Sequence, residues 1–306
     1  MFDRYGREAS SLRIAVTQRC NQNCIYCHNE GQERTSKEMT LGQIRGILRA
    51  AAAIGAKKVK ITGGEPLVRN DIVDIVASCA EGFEEVSLTT NGVGLDKLAR
   101  PLREAGLARM NISMDTLNPQ TYERLTRQDH LSRLLKGIDV ATETGFQSLK
   151  LNTVVLKGFN QTELEDLIAF SAEKNAILQL IELTSRREDV NSPFHKTHHY
   201  DLGPFEKTLG DWTSEVRANE IHNRKRYVLR VNGWNAVVEV VRPMSNKDFC
   251  ANCTRIRVTS DGRIKPCLLT NAGEIETLDL LEAGKDEQTL QALFAKAILS
   301  RKPYWD

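Results

Sequence analysis

Cys20, Cys24 and Cys27 are separated by three and two residues in the run Thr17-Gln-Arg-Cys-Asn-Gln-Asn-Cys-Ile-Tyr-Cys27. Three thiolates on one short loop can hold three irons of a cubane iron–sulfur cluster. No fourth cysteine is close, so one iron is left open to bind and activate a small molecule. Zinc is the competing ligand set, but zinc sites usually pair Cys-x-x-Cys with a second pair of ligands. His28 follows Cys27 directly, an awkward position for a fourth ligand. Cys250, Cys253 and Cys267 make a second incomplete set: Cys-x-x-Cys, thirteen residues, then Cys. The residues between read as strand, Ser260-Asp261-Gly262 turn and returning strand, which folds Cys267 back beside the pair. A zinc ribbon is the plain alternative for this set alone. Two three-cysteine sets in one chain favour two clusters, each with an open iron. The seventh cysteine, Cys79, lies on an apolar helical pattern and reads as core.

The rest of the composition is ordinary. The chain has 306 residues and a net charge of +2, which implies no general attraction to nucleic acid or membrane. No apolar run approaches the roughly eighteen residues of a membrane span. The first residues lack a signal peptide's apolar core. An odd cysteine count and no leader argue against a disulfide framework and for a reducing cytoplasm.

Positioning these cysteines falls to a regular alternation of elements. Leu12–Val16, Lys58–Thr62, Glu85–Thr89, Arg109–Ser113, Ser148–Leu156 and Leu178–Leu183 read as strands. Leu41–Ile54, Ile72–Cys79, Leu95–Ala105, Leu131–Thr144 and Thr162–Lys174 read as the helices between them. This α/β pattern predicts an incomplete (β/α)6 TIM-like barrel rather than a flat sheet. Residues 1–220 form that barrel in this reading. Residues 221–306 form a smaller α+β domain that carries the second cluster and closes the barrel. In it, Arg226–Val241 reads as strands of a second sheet shared with the cysteine hairpin, and Asp286–Ile298 as a helix. Asp201–Val216 reads as helix. Residues 185–200 are polar and without period, either a substrate-covering loop or a solvated linker, and His195, His198 and His199 read as a solvated face.

Active sites of such barrels lie at the carboxyl ends of the strands. The cysteine loop, Gly63-Gly-Glu-Pro66, Thr89-Thr-Asn-Gly92 and Ser113-Met-Asp115 all fall there. Gly63 and Gly64 permit unusual backbone angles and close approach of a ligand. Glu65 suits an ammonium group, Thr89 and Ser113 offer hydroxyls, and Tyr26 can pack beside a cluster or an adenine ring. A plain Gly-Gly turn is the alternative for the first motif.

The spacing of Cys20, Cys24 and Cys27 is similar to the signature of radical S-adenosylmethionine (SAM) enzymes. Further along, the chain resembles one family over nearly its full length. The match runs through Leu12-Arg-Ile-Ala-Val-Thr17, the cysteine loop, Gly-Gly-Glu-Pro-Leu67, Leu88-Thr-Thr-Asn-Gly92, Asn111-Ile-Ser-Met-Asp115, Lys157-Gly-Phe-Asn160 and Asp248-Phe-Cys-Ala-Asn-Cys-Thr-Arg-Ile-Arg257. That family is the radical SAM GTP 3′,8-cyclase of molybdenum cofactor biosynthesis. His222-Asn-Arg-Lys225, Val241-Arg-Pro-Met244 and Arg301-Lys-Pro-Tyr304 resemble its archaeal members. The resemblance implies two 4Fe–4S clusters and SAM as cofactors. A 5′-deoxyadenosyl radical takes the ribose C3′ hydrogen of GTP, and the carbon radical closes on C8. Gly63, Gly64, Glu65, Thr89, Ser113 and Tyr26 fall at cofactor positions. Arg13, Lys58, Lys60, Lys150, Arg255 and Arg257 match substrate-facing positions, with Arg255 and Arg257 on one face of a strand. The family also implies a reducing electron donor and a downstream cyclic pyranopterin monophosphate synthase, and leaves a homodimer open.

Three residues depart from the family's bacterial members. Lys60 replaces an Arg, which keeps charge but loses the bidentate fork. Gln179 replaces another Arg, with Arg186 or Arg187 as candidates to compensate. The last residues read Tyr-Trp-Asp where those members carry Gly-Gly. The runner-up reading is therefore a radical SAM enzyme with an auxiliary cluster acting on another nucleotide or a peptide. A zinc-stapled binding module would leave the strand-end motifs unexplained.

Overall fold

The computed structural model describes residues 1–305 apart from 214, 220–223, 245 and 283–286. Eleven strands are described: β1 (Ser11–Ala15), β2 (Lys58–Thr62), β3 (Glu85–Thr90), β4 (Arg109–Ser113), β5 (Ser148–Val155), β6 (Ile177–Glu182), β7 (Glu215–Asn219), β8 (Arg224–Val231), β9 (Trp234–Val241), β10 (Arg255–Val258) and β11 (Ile264–Lys265). The helices are α1 (Leu41–Ala53), α2 (Ile72–Ala80), α3 (Leu95–Glu104), α4 (Pro119–Thr126), α5 (Leu131–Thr144), α6 (Leu164–Glu173), α7 (Pro193–His198), α8 (Gly203–Trp212), α9 (Lys247–Ala251), α10 (Leu278–Glu282) and α11 (Glu287–Leu299). The expected β/α alternation is present to within two residues at most ends. α4, α7, α9 and α10 were not expected, and the helix expected over Asp201–Val216 ends at Trp212, where Glu215 and Val216 instead begin β7.

Local chemistry explains the boundaries. Thr40 caps α1 in a capping box with Gln43. Asn118 caps α4, and Pro119 opens it where a missing N–H costs nothing. Gly145 ends α5 in the left-handed region at φ 73°.

All the strands belong to one sheet, in the order β11-β10-β1-β2-β3-β4-β5-β6-β9-β8-β7. The six expected strands pair in sequence and in parallel, as a barrel in the making. The expected second sheet is not formed. β10 joins β1 in parallel, with Arg13 opposite Arg257, and β9 joins β6 in parallel. The physical reason is the sheet's own edges. β1 and β6 would otherwise present a row of unpaired backbone groups. The C-terminal strands cover both, so eight parallel strands curve around one space, flanked by the antiparallel hairpins β10–β11 and β7–β8–β9.

Side chains alternate across this sheet with period two. Leu12, Ile14, Val59, Ile61, Val86, Leu88, Met110, Ile112, Leu151, Leu178 and Leu180 face the helices and are buried in one core with Ile44, Ile47, Ile75, Leu102, Leu134 and Ile138. Cys79 is buried there too, as expected. The opposite face carries Arg13, Lys58, Lys60, Ser87, Thr89, Arg109, Asn111, Lys150, Asn152 and Gln179. Most barrel interiors are filled with branched apolar side chains. This one is polar and hollow.

The archaeal-type residues His222 and Asn223, and Asp286 at the expected start of the last helix, lie outside the described residues. No described helix is long and apolar enough to cross a membrane. Leu88 is fully buried at the centre of the apolar face. Leu88→Ala should destabilise the protein by about 2–5 kcal/mol with an unchanged urea m-value. A urea unfolding curve checks this.

Candidate active site

The polar lumen encloses a cavity of about 360 Å³. Its wall brings together Arg13, Lys58, Lys60, Thr89, Lys150, Arg255 and Arg257 with all three cysteines of the second set. The β10–β11 hairpin does this as expected: Gly262 takes φ 89° in the turn, and Cys267 returns to Cys250 and Cys253. α9 carries Cys250, and Asn246 caps that helix by accepting from the Phe249 N–H at 2.9 Å. Arg255 lies over the Phe249 ring at 5.4 Å.

Cations crowded on one face need anions. Three carboxylates supply them, none anticipated from the sequence. Glu30 meets Arg257 at 2.9 Å and Arg13 at 3.6 Å. Glu239 accepts from Lys150 at 2.6 Å, Arg226 at 2.7 Å and Gln179 at 2.7 Å. Glu85 meets Arg109 at 2.9 Å and Lys58 at 3.8 Å. Burial pushes the Glu30 carboxyl up, but Arg13 and Arg257 outweigh it and hold it at about 2. Lys150 and Arg226 likewise outweigh burial at Glu239, which also lies at about 2.

Gln179 thus shares its carboxylate with Arg226, not with either expected substitute. Arg186 instead reaches the Gly31 carbonyl and Asn271, and Arg187 bonds the tail at Tyr304. Tyr304 and Trp305 line the cavity.

The first cysteine set sits on the loop after β1, at the carboxyl ends of the strands. Its backbone is pinned by Asn23 and Ile25 N–H groups donating to the Thr126 and Leu125 carbonyls at the end of α4. Gly63 and Gly64 press against it from the other side. A Cβ on Gly63 would meet the Thr17 carbonyl at 2.6 Å, and one on Gly64 the Arg19 carbonyl at 2.4 Å. Neither takes a left-handed φ. The backbone of the cysteine loop itself closely approaches both glycines. Gly64 and Glu65 N–H groups donate to the Thr17 and Arg19 carbonyls at 2.7 and 2.8 Å.

Glu65 is buried and accepts from Thr90 Oγ1, the Asn91 N–H and the Leu67 N–H at 2.6, 2.6 and 3.0 Å. Burial pushes its carboxyl up to about 7 against those hydrogen bonds. Asn91 continues the chain to Asn21, at 2.6 Å, inside the cysteine loop. Tyr26 donates to Asp115, whose carboxyl burial pushes up to about 6. Ser113 ends β4 outside the wall of the large cavity.

His195 corrects an expectation. It is buried in α7 and stacks on His199 at 4.7 Å, while His198 packs on Phe159 and Phe194. This polar stretch is folded rather than solvated.

Both cysteine sets suit clusters. Burial and the neighbouring Asp115 and Cys27 push the Cys24 thiol well up, a repulsion that bound iron would relieve. Gln22 and Asn29 N–H groups donate to Cys20 and Cys27 sulfurs, and the Trp305 N–H to Cys250, each at 3.4 Å. Such N–H···S contacts are the usual outer support of iron–sulfur ligands. No described group of three or more His, Cys, Asp or Glu converges on a single ion. A cubane does not require that, since each thiolate takes its own corner iron.

Comparison with known proteins now decides the family. Residues 14–171 match the radical SAM superfamily, and residues 176–306 match Molybdenum Cofactor Synthesis C. A probable GTP 3′,8-cyclase of Pyrococcus abyssi is 46% identical over 305 residues, covering 100% of this chain and 99% of its own length. One from Methanothermobacter thermautotrophicus is 43% identical, covering 99% and 98%. The chain belongs to the GTP 3′,8-cyclase family. Its fold is shared more widely among solved structures. Streptococcus suis SuiB bound to precursor peptide SuiA aligns with TM-score 0.68 at 20% identity, over 91% of this chain and 65% of SuiB. The AdoMet-bound anSMEcpe structure aligns with TM-score 0.66 at 15% identity, over 97% and 83%.

An anion added to the protein would compete with Glu30 for Arg13 and Arg257. Glu30→Gln should raise the affinity for inorganic tripolyphosphate about tenfold, or about 1.4 kcal/mol, by calorimetry on anaerobic protein. The depressed Glu30 carboxyl stabilises the fold above its unfolded pKa, and that contribution is lost as pH falls from the ordinary carboxylate range toward about 2. In metal-free protein, Glu30→Gln should flatten the acid limb of the stability–pH curve.

Proposed function

We propose that this chain converts GTP to 3′,8-cyclo-7,8-dihydro-GTP, as the family's first step toward molybdopterin. One observation carries the reading: a cationic lumen with one cysteine set in its wall, to which the loop of the other set adds His28 and Glu30. Cys20, Cys24 and Cys27 would hold one 4Fe–4S cluster, and Cys250, Cys253 and Cys267 the other. When bound, the first cluster would supply the electron that cleaves SAM to a 5′-deoxyadenosyl radical able to take the C3′ hydrogen so that C3′ can bond to C8, and the second would supply an open iron for the guanine.

The chain's own residues bind, orient and neutralise. Arg13, Lys58, Lys60, Lys150, Arg255 and Arg257 meet the triphosphate and base, since a polyanion wants several Arg and Lys donors. Gly63, Gly64 and Glu65 hold the cysteine loop and SAM in register, with Tyr26, Thr89 and Ser113 completing that end. The enclosed lumen excludes water, which protects a carbon radical from side reactions. The division at residue 220 separates a barrel that generates the radical from a unit that presents the substrate. An external reductant completes the cyclised product, and cyclic pyranopterin monophosphate synthase consumes it. Seven cysteines without a disulfide support a reducing cytoplasm as the setting.

Reconstituted protein given SAM, dithionite and GTP without oxygen should form 5′-deoxyadenosine and a product isomeric with GTP, both read by mass spectrometry. Cys24→Ala should abolish both. Deoxyadenosine with GTP untouched would move the substrate to another nucleotide or a peptide.

A further inference from the structure

Beside the second cysteine set lies a buried charge to which the reading above assigns no role. Asp3, Arg7 and Arg301 are 6%, 8% and 2% exposed. Asp3 accepts from the Tyr5 and Arg7 N–H groups at 2.9 and 3.0 Å with one oxygen. Its other oxygen takes Arg7 Nε at 2.8 Å and faces Arg301 Nε at 3.7 Å. One carboxylate therefore serves two guanidiniums.

Their remaining donors point at the cysteine loop. Arg7 Nη1 donates to the Cys250 carbonyl at 3.0 Å, and Arg301 Nη2 to the Cys253 carbonyl. Arg7 Nη2 and Arg301 Nη1 are buried and have no hydrogen-bond partner among the described residues. Both arginines line the cavity with Cys250, Cys253 and Cys267.

Guanidinium does not lose its proton in proteins, so this group carries one net positive charge out of water. An unmatched buried charge with two orphan N–H groups is costly. It calls for one negative charge beside it. An oxidised four-iron, four-sulfide core has two positive charges, and three thiolates bring three negative ones. The sum is one negative charge, with inorganic sulfides as acceptors for the orphan donors.

We propose that Asp3, Arg7 and Arg301 form a charge cradle for the auxiliary cluster. Arg7 and Arg301 balance its charge and raise its reduction potential, and Asp3 aims them. This rests on the cluster reading above. Reduction adds one electron and so one negative charge, which the two cations stabilise and the carboxylate opposes. Cluster potentials respond to local charge and to hydrogen bonds at sulfur in this way. All three are positioning residues, not catalytic ones.

The test uses the full chain with Cys20, Cys24 and Cys27 changed to Ala, reconstituted anaerobically, so that only the auxiliary cluster is present. Its midpoint potential is read by an EPR-monitored dithionite titration. Arg7→Gln and Arg301→Gln should each cut the equilibrium constant for reduction at least tenfold, a shift of about 59 mV to more negative potential. Arg301→Lys should hold most of the parent value, and Asp3→Asn should shift it to more positive potential. Unchanged potentials at the parent's iron content overturn the proposal. So does weaker GTP binding without a potential shift, which would make a phosphate the missing anion. If an arginine variant loads no cluster, the sign of the Asp3→Asn shift decides, and a null or negative shift overturns it. A parent that takes up no iron and sulfide would instead sink the cluster reading itself.

Discussion

The structure is organised around repulsion. Arg13, Lys60, Lys150, Arg255 and Arg257 project from strands of the one sheet into one space, with Arg13 directly opposite both Lys60 and Arg257 in the register. Like charges this close, partly removed from water, would force the curved sheet open if nothing opposed them. The apolar face is what holds it. Every strand that turns a cation inward turns leucine, isoleucine, valine or methionine outward into the helical layer. Hydrophobic burial on one side of the sheet offsets electrostatic cost on the other.

The carboxylates divide the remaining work. Glu85 and Glu239 come from strands of the same sheet and lie toward two regions of the lumen, so they fix Lys58, Arg109, Lys150 and Arg226 without closing it. Glu30 is different because it comes from the loop. Asn29 and Glu30 both take left-handed backbone angles, φ 48° and 50°, without being glycine. Such conformations persist where surrounding contacts over-determine them. Here the ion pairs to Arg13 and Arg257 and the close seating of Gly31 against the Leu268 carbonyl do so.

Much of this was legible in the chain because it is local. Lys58–Thr62, Arg109–Ser113 and Leu131–Thr144 were read with their observed bounds, since period and flanking residues define them. The two cysteine sets were legible from spacing, and the inward cations from alternation and family motif. What escaped is long-range. Nothing near Arg255 says that its strand pairs with β1, more than two hundred residues earlier, so a separate second sheet was expected. Asp3, Arg7 and Arg301 look like surface charges until the fold brings both ends of the chain to Cys250. Glu30 carries no motif signal of its own, and α7 hides its apolar packing in stacked histidines and phenylalanines.

Glu30 also joins the two halves of the chemistry. It stands three residues after Cys27, on the loop of the first cysteine set, yet its partner Arg257 lies on the strand four residues after Cys253. The first set is thereby tied to the second across the lumen by one ion pair, while Arg186 adds a contact to the Gly31 carbonyl next door. An anion that takes Arg13 and Arg257 from Glu30 must release this tie. A carboxylate that only neutralised charge would serve equally well on a rigid strand, as Glu239 does. Placing it on the cysteine loop means that the loop of the first set and the strand that follows Cys253 share one ion-pair network, whereas Glu239 ties strand to strand.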